Sequence, residues 1–444
     1  MEGLAGSKAD LVDALEVWED GRRRKSALFL LTCLGLGAAP HVLHLGPWPA
    51  LAAALLMAPR LLAAVRVQQH QPGIAQGDAD ASQRPSLDVL VAARDEVAVV
   101  DRLVDNMMAL DCSAVDLQLW VVNDASTDGT REALERLSAV HPRLNVLHRQ
   151  PGEGGGKSGA LNALLPGLRG DWLMVLDADA QLAPDLFNRL APSLRHAPGA
   201  LQLRKAVLNP DHNLFTRFQA LEMAFDAQVQ RGRLLNGGVG ELRGNGELIR
   251  RELLLRCGGF NEGTITDDLD LSFRLHLSGV PIDLIWNPPV CEEAVTGVRA
   301  LWRQRQRWAE GGLQRFFDYW PALLGRRLQP SRRNDIVTYF VVQYALPMMG
   351  IGDLATALVR NALPLMWPFS LLVLLTSSGA IYSALSAPNE GPPLPRPHPL
   401  VVVSGLLYLL HWFVVIPLVS FRMALRPKRL VWVKTLHEGL AVSA

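Results

Sequence analysis

The chain has 444 residues, of which 49% are hydrophobic, and a net charge of +1 at pH 7. A charge so near zero excludes the strongly basic surface typical of nucleic-acid-binding proteins, and a mean hydropathy of +0.14 is high for a protein that lies wholly in water. The four cysteines form no C-x-x-C pair, so we expect them to be packing residues rather than zinc ligands or disulfide partners.

Two apolar runs lie near the N-terminus, from Ser26 to Leu45 and from Trp48 to about Val65. A basic stretch, Arg22 to Lys25, precedes the first run, and the second follows too closely for a cleaved signal peptide. By the positive-inside rule, we predict that residues 1–66 form a cytoplasmic segment and a transmembrane hairpin with both ends in the cytoplasm. Residues 67–86 are polar and are predicted to be a linker.

Three further apolar runs fill residues 336–421: Ile336 to Val359, Leu365 to Leu385, and Leu400 to Phe421. Three crossings from a cytoplasmic domain would leave the tail, residues 422–444, outside the cell. The arginines and lysines of this tail instead favour the cytoplasm. Either one run is interfacial or re-entrant, or the charge rule fails here. We expect that one run does not cross fully.

Residues 87–297 are predicted to form a soluble α/β domain. Apolar strands are expected at Leu87 to Ala92, Leu117 to Val122 and Trp172 to Leu176, with a helix at Thr130 to Val140 after the second strand. Strands that alternate with helices indicate a mostly parallel sheet, in which ligands bind beyond the carboxyl ends of the strands. Acidic residues follow all three strands: Asp95 and Glu96, Asp124, and Asp177 with Asp179.

Asp177 and Asp179 are two residues apart, so an extended chain points both carboxylates to one side. Two carboxylates on one side favour a cation between them, and a hard divalent ion that also holds a diphosphate would suit them. We therefore predict a Mg²⁺ or Mn²⁺ site. The alternative is a pair of turn or helix-capping aspartates, which the position behind a buried strand makes less favourable.

Asp124 can accept hydrogen bonds from a nucleobase or a ribose, although aspartate and asparagine also favour loops for local reasons. The glycine-rich stretch 152–158 resembles a P-loop, but Pro151 stands where that motif needs glycine, and no clear strand is expected before it. Lys157 within this stretch remains a candidate phosphate contact.

A cluster of three aspartates, Asp267, Asp268 and Asp270, opens a helix that is expected to stop near Gly279. Acidic residues suit a first helical turn, and Thr266 or Asp267 can cap it, which explains part of the cluster. The functional interpretation makes Asp268 a general base that takes the proton of an acceptor hydroxyl. The helix terminus and a nearby metal should favour its ionised form. A single base without a carboxylate nucleophile indicates single displacement with inversion.

Residues 298–335 combine arginines and aromatics at helical spacing, which predicts basic amphipathic helices at the membrane interface. Three of them, Gln304, Arg307 and Trp308, are candidates for more specific roles. Arg307 can bind a leaving diphosphate, and Trp308 offers a flat face for an acceptor.

The ordered set of motifs resembles the membrane-bound, family-2 glycosyltransferases with a GT-A fold, over Leu87 to about Trp320. This resemblance implies that Glu96, Asp124, Lys157 and Asp177 bind a UDP-sugar, and that Asp177 and Asp179 bind the metal, with Asp179 the main ligand. It implies that Asp268 is the catalytic base of a T-E-D motif whose glutamate is Asp267 here. It also places Asn245, with Gln304, Arg307 and Trp308, near the diphosphate and the acceptor.

Within that family, the amino-acid sequence around Asp268 and Trp308 is most similar to that of beta-monoglucosyldiacylglycerol synthases. This similarity implies that glucose passes from UDP-glucose to diacylglycerol, on the cytoplasmic face of a plasma or thylakoid membrane. The rival interpretation is a processive synthase of a poly-N-acetylglucosamine, cellulose or hyaluronan-like glycan, which the small number of membrane runs makes less favourable. A non-catalytic scaffold or a transporter fits less well, because all the acidic motifs are present and charges within the apolar runs are few.

Overall fold

The computed structural model describes residues 21–65 and 84–426. The N-terminal segment, most of the predicted linker and all but the first residues of the basic tail lie outside the described residues. The predicted domain boundaries therefore stay predictions, while the elements between them can be compared one by one.

The first elements of the described residues are two apolar helices, α1 (Arg22–Val42) and α2 (Trp48–Leu61), and a 3₁₀ turn (Leu62–Val65). The described part of the chain ends with a further series of helices, of which the first two carry many polar residues and the later ones are apolar. These are α10 (Val298–Leu324), α11 (Pro330–Phe340), a π-helical turn (Val341–Ala345), α12 (Leu346–Val359), α13 (Trp367–Ser386), α14 (Pro399–Leu409) and α15 (Trp412–Leu425).

Among the described residues, four helical segments are long and apolar enough to cross a bilayer: Arg22–Val42, Pro330–Val359, Trp367–Ser386 and Pro399–Leu425. Trp48–Leu61 is a shorter apolar helix. These segments match the five runs expected from the sequence, although the last is divided into α14 and α15.

A seven-stranded sheet forms the centre of the soluble domain, in the order β3-β2-β1-β4-β6-β5-β7. Four of the six neighbouring pairs are parallel, and β6 runs antiparallel to both its neighbours, which confirms the mostly parallel sheet expected from the sequence. The strands are β1 (Ser86–Ala93), β2 (Asp116–Asp124), β3 (Leu144–Arg149), β4 (Trp172–Leu176), β5 (Ala200–Val207), β6 (Glu247–Arg250) and β7 (Ile282–Glu292).

Helices cover both faces of this sheet, and a separate apolar core fills each face. Strand β4 is buried along its whole length because it lies between the two cores. The helices are α3 (Val100–Ala109), α4 (Thr130–Val140), α5 (Gly156–Leu164), α6 (Leu186–His196), α7 (Leu214–Leu235), α8 (Arg251–Arg256) and α9 (Asp267–Leu277). The topology brings the carboxyl ends of β2, β1 and β4 side by side, and these ends carry the acidic residues.

Candidate active site

A cavity of about 470 Å³ opens at the carboxyl ends of the strands. Its wall includes Glu96, Lys157, Asp177, Asp179 and Asp268. The volume lies within the range of roughly 300–1,000 Å³ that is common for small-molecule sites. The structure thus brings together residues that are up to 172 positions apart in the chain, from Glu96 to Asp268.

Lys157 lies in the first turn of α5, after a glycine-rich loop. The expectation that no strand precedes this loop is wrong, because β3 ends at Arg149 immediately before it. The Lys157 Nζ atom donates to Asp177 Oδ1 at 2.7 Å and to the Gly244 carbonyl at 3.2 Å. Burial alone would lower the pKa of Lys157, but the carboxylates of Asp177 and Asp267 outweigh it and raise the pKa. The ammonium is therefore a permanent positive charge at the strand ends.

Asp179 lies two residues beyond Asp177 and accepts a hydrogen bond from the Glu293 backbone N–H at 2.7 Å. Among the described residues no group of three or more histidine, cysteine or acidic side chains is arranged to hold a metal ion. The donor set is thus two carboxylates on one cavity wall. It fits Mg²⁺ or Mn²⁺, because such ions are commonly held by one or two carboxylates while substrate phosphates supply other oxygens.

Asn245 does not reach the cavity, contrary to the expectation that it contacts the diphosphate or the acceptor. Its side chain is fully buried. Its Oδ1 accepts from the Asp177 backbone N–H at 3.2 Å, and its Nδ2 donates to Glu292 Oε2 at 3.0 Å. Asn245 therefore connects the end of β4 with the end of β7 and fixes the position of the Asp177 backbone.

Asp124 ends β2, as expected, but it is not part of the cavity wall. Its Oδ1 accepts from Arg149 Nη1 at 2.7 Å, and Arg94 Nη1 lies 3.8 Å from its Oδ2. Burial raises the pKa of Asp124, and the two guanidinium groups offset only part of this effect. The residue thus joins the ends of β2 and β3 in this structure.

Asp268 lies in the first turn of α9 and is partly buried on the cavity wall. Burial, and then the charge of Asp267, raise the pKa of Asp268 to about 6. A backbone hydrogen bond at the helix terminus lowers the pKa of Asp268, as expected, but burial raises it by more. Thr266 occupies the N-cap position, yet its side chain makes no capping hydrogen bond.

Gln304, Arg307 and Trp308 lie on α10 and line the same cavity as Asp268. Two cations lie near the Trp308 ring, since Arg305 Cζ is 4.2 Å and Lys205 Nζ is 5.9 Å from its centroid. Cation–π attraction to these two neighbours therefore favours the observed orientation of the indole.

The Arg305 side chain is buried and connects this motif to other helices. Its Nη1 donates to Gln304 Oε1 at 2.6 Å, and its Nη2 donates to the Glu222 carboxylate of α7. The same carboxylate accepts from Tyr408 Oη at 3.1 Å and Trp412 Nε1 at 2.9 Å. Glu222 thus joins α7, α10, α14 and α15, and sequence reasoning missed it because nothing in a helical pattern marks one glutamate as a shared partner.

Glu292, Glu293 and Lys205 were also missed. Glu292 and Glu293 lie on the cavity wall, and Glu292 Oε1 pairs with Lys205 Nζ at 2.8 Å. A signal for them exists, because Glu292 and Glu293 follow an apolar strand just as Asp177 and Asp179 do. The same rule of polar residues at strand ends would have found them.

Beyond Trp308 the cavity continues between the apolar helices. Its wall there includes Arg60 of α2, Val373 and Ala380 of α13, and Phe413 of α15. The acidic strand ends and the apolar helices therefore border one continuous space.

Comparison with known proteins then defines the family. Residues 84–311 match the family model described as "Glycosyltransferase like family 2". The chain belongs to this family. It is 41% identical to a beta-monoglucosyldiacylglycerol synthase of Synechocystis sp., over 96% of this chain and 90% of the relative. The corresponding synthase of Nostoc sp. is 40% identical, with 94% and 90% covered. The match over nearly the whole chain includes the apolar helices as well as the sheet.

Among solved structures, the chain resembles a mannosyltransferase from Pyrobaculum calidifontis in complex with GDP-Man and Mn²⁺. The TM-score is 0.53 at 22% identity, over 79% of this chain and 97% of the other. At this identity the likeness concerns the fold, and it confirms the GT-A-type domain expected from the sequence.

Proposed function

We propose that the protein transfers glucose from UDP-glucose to diacylglycerol, with inversion, to form beta-monoglucosyldiacylglycerol. The observation that carries this proposal is the single cavity that Asp177 and Asp179 share with the apolar helices. A donor held at the strand ends would meet an acceptor that arrives from the bilayer. The names of the two relatives support glucose and diacylglycerol as the transferred group and the acceptor.

For the nucleotide, the proposed contacts are Glu96 and Lys157 on the cavity wall and Asp124 at the neighbouring strand end. The Lys157 ammonium suits a diphosphate, because it is half-buried beside carboxylates that keep it protonated. Arg307 lines the same cavity and would bind the diphosphate as it leaves. Asp177 and Asp179 would hold a divalent cation, which supplies positive charge to the leaving diphosphate when bound.

In the proposed reaction, the acceptor hydroxyl oxygen forms a bond to the anomeric carbon of glucose while the bond from that carbon to the UDP oxygen breaks. The proton of the hydroxyl passes to the Asp268 carboxylate, and the electron pair of the broken bond leaves with UDP. Lys157 and Arg307 stabilise the charge on the departing diphosphate. One displacement at one carbon inverts its configuration.

The sharpest test of this assignment is Asp268→Asn, which keeps the shape of the side chain and removes the base. We expect transfer to fall by roughly a hundred-fold or more, the scale of general-base catalysis, while UDP binding by calorimetry stays unchanged. Unchanged turnover would overturn the role of Asp268.

A processive polysaccharide synthase is the alternative, and product analysis separates the two. Purified protein would receive labelled UDP-glucose and diacylglycerol in mixed micelles, and the products would be partitioned between chloroform and water. We expect one labelled lipid of the mass of a monoglucosyl diacylglycerol. A water-insoluble polymer that forms without added lipid would overturn the proposal.

We further propose that four segments cross the membrane: α1, α2 with the 3₁₀ turn after it, Pro330–Val359, and α13. Helix α1 and the helical segment Pro330–Val359 run parallel, because the Phe29 and Phe340 rings are 5.1 Å apart and, farther along both, His41 Nε2 is 2.7 Å from Asp353 Oδ1. Helices α2 and α13 likewise end together, where Ser383 Oγ donates to the Val65 carbonyl at 2.8 Å. Two outward and two inward segments would return the chain to the cytoplasm.

The last apolar run, α14 and α15, is proposed to lie along the interface instead of crossing. The loop before it packs against the soluble domain, where Arg189 Nη1 is 2.6 Å from Glu390 Oε2. At the junction of the two helices, Trp412 binds Glu222 of the same domain. The start and the middle of the run are therefore both held at the face that carries the soluble domain.

The end of this run returns to the same face. Ser26 Oγ, in the first turns of α1, donates to the Ser420 carbonyl at 2.8 Å, and Arg422 Nη1 donates to Gln306 Oε1 of α10 at 2.7 Å. A straight crossing helix of this length would separate its ends by roughly 40 Å, at about 1.5 Å per residue. This arrangement supports a cytoplasmic tail and removes the conflict between three C-terminal crossings and a basic tail.

Single cysteines test this topology in a variant whose four native cysteines are replaced by serine. Asn361→Cys marks the loop before α13, Arg396→Cys the loop before α14, and Arg426→Cys the end of α15. In sealed inverted vesicles, we expect an impermeant maleimide to label the last two and not the first. Labelling of Arg426→Cys only from the side that labels Asn361→Cys would show that the last run crosses.

A further inference from the structure

The part of the cavity that lies between the apolar helices is built from one face of α13. Val373, Thr376, Ser377 and Ala380 line it, and their spacing of three and four residues places them on one side of the helix. Three of these side chains are small, so the helix backbone comes close to the space. Phe413 of α15 borders the same space. The cavity that Trp308 lines therefore extends along one face of α13 and reaches Phe413 of α15.

Gln343 is a polar residue in this apolar surrounding. It lies in the π-helical turn Val341–Ala345 and lines the same cavity. Its Oε1 atom is buried and has no hydrogen-bond partner in the described part of the chain. A buried polar atom without a partner costs free energy, and π-helical turns are frequent at functional sites. Both observations indicate that the Gln343 side chain binds a ligand.

The chemistry of this space matches a glycerolipid. The unpartnered Gln343 Oε1 atom needs a hydrogen-bond donor, and a diacylglycerol carries one in its glycerol hydroxyl, whereas its two ester groups only accept. The apolar face of α13 suits the first methylene groups of the acyl chains.

We propose that the face Val373, Thr376, Ser377 and Ala380 is the acyl-chain subsite, and that Gln343 Oε1 accepts a hydrogen bond from the glycerol hydroxyl of the entering acceptor, before that hydroxyl reaches Asp268. This inference rests on the proposed function, because it assigns a place to the diacylglycerol of that reaction. It makes Ser377 and Gln343 residues that determine how the lipid acceptor is selected.

Two adjacent serines offer a matched test. Ser377 lines the cavity and Ser378 does not, while both lie on α13. In Ser377→Trp the indole should fill this part of the cavity, whereas in Ser378→Trp it should lie outside it. We expect the first variant to raise the KM for dioleoylglycerol by roughly ten-fold or more, the scale set by losing about 1.4 kcal/mol of binding, and the second to stay within two-fold of the wild type. Transfer to the short-chain dibutyrylglycerol should change little in both variants.

Gln343→Met removes the hydrogen-bonding amide while the length of the side chain stays nearly constant. This variant tests the lipid subsite independently if Ser377→Trp is misfolded, which loss of UDP binding would reveal. We expect the KM for dioleoylglycerol to rise by roughly ten-fold with unchanged kcat and unchanged KM for UDP-glucose, since one hydrogen bond to a buried amide is lost. Equal kinetics of Gln343→Met and wild type overturn the role of Gln343, and equal kinetics of the two tryptophan variants overturn the subsite. Failure of the wild type to glucosylate any diacylglycerol would instead overturn the proposed function.

Discussion

The Arg305 guanidinium lies 4.2 Å from the centroid of the Trp308 ring and donates a hydrogen bond to Glu222. Glu222 also accepts hydrogen bonds from Tyr408 and Trp412, which belong to the last apolar run. The indole on the cavity wall is therefore positioned by a carboxylate that the apolar helices also bind. Glu222 acts on the acceptor side through Arg305, as a positioning residue.

We expect Glu222→Ala to lower transfer to diacylglycerol by roughly ten-fold to a hundred-fold, because misplacing a wall of the site by an ångström costs that much. The KM for the lipid should rise while UDP binding is unchanged. Glu222→Gln should recover part of the activity, since its amide still accepts from Trp412. Trp302 is an exposed tryptophan of α10, the helix that carries Trp308. Trp302→Ala is the matched control and should be neutral. Equal activity of Glu222→Ala and wild type would contradict this role.

The pKa of Asp268, raised to about 6, predicts an acid limb in the pH profile. The base must be ionised to accept a proton, and its ionised fraction rises with pH. We therefore expect kcat/KM to increase about ten-fold per pH unit well below the pKa and to level off above it.

Asp267→Asn provides the control for this assignment. The charge of Asp267 contributes to the raised pKa of Asp268, so its removal should move the acid limb to lower pH while transfer is retained. A limb that stays in place in this variant would show that another group controls the profile.

Gly311 of α10 packs directly against the turn that carries Asp268. A Cβ atom at this position would lie 2.3 Å from Thr266 Oγ1. We expect Gly311→Ala to destabilise the protein by about 1–3 kcal/mol, as overpacking does, and to lower transfer as the turn is displaced. Gly350→Ala, in α12, meets no atom within 4 Å and is the matched control. Thermal unfolding in detergent and transfer rates measure both effects, and equal results for the two variants would contradict the close contact.

The two-carboxylate donor set predicts a requirement for a divalent cation. Chelation with EDTA should abolish transfer, and Mg²⁺ or Mn²⁺ should restore it. Asp179→Asn should raise the metal concentration needed for half-maximal activity, because one charged ligand is lost. Full activity in EDTA would exclude the site.

Strand ends could be predicted from the sequence because burial on both faces leaves a continuous apolar run, as in Trp172–Leu176. The parallel order of the sheet then brings Asp124 and Asp177 to the same edge without further information. The rule that polar residues at the end of an apolar strand mark the site would also have identified Glu292 and Glu293, but it was not applied to β7. Lys157 was identified without its strand, since β3 is only partly buried and lacks a continuous apolar pattern.

Contacts between distant helices could not be predicted in this way. Asn245 lies in a turn that a motif places near the ligands, but whether its amide faces the cavity or the sheet depends on Glu292, which is 47 residues away. Glu222 is similar, because its partners Arg305 and Trp412 belong to other elements. The ambiguity of the last apolar run has the same origin: hydropathy measures preference for lipid, and only contacts at both ends indicate direction.

The continuous cavity between the strand ends and α13 has a consequence for the distribution of the product in the bilayer. An acceptor that enters sideways from one leaflet, and reacts while its acyl chains stay there, returns to that same leaflet with a sugar on its headgroup. Transfer by this route does not move the lipid from one leaflet to the other. Supplying the glucolipid to the opposite leaflet would then require a separate flipping step, so the enzyme by itself would generate a one-sided membrane.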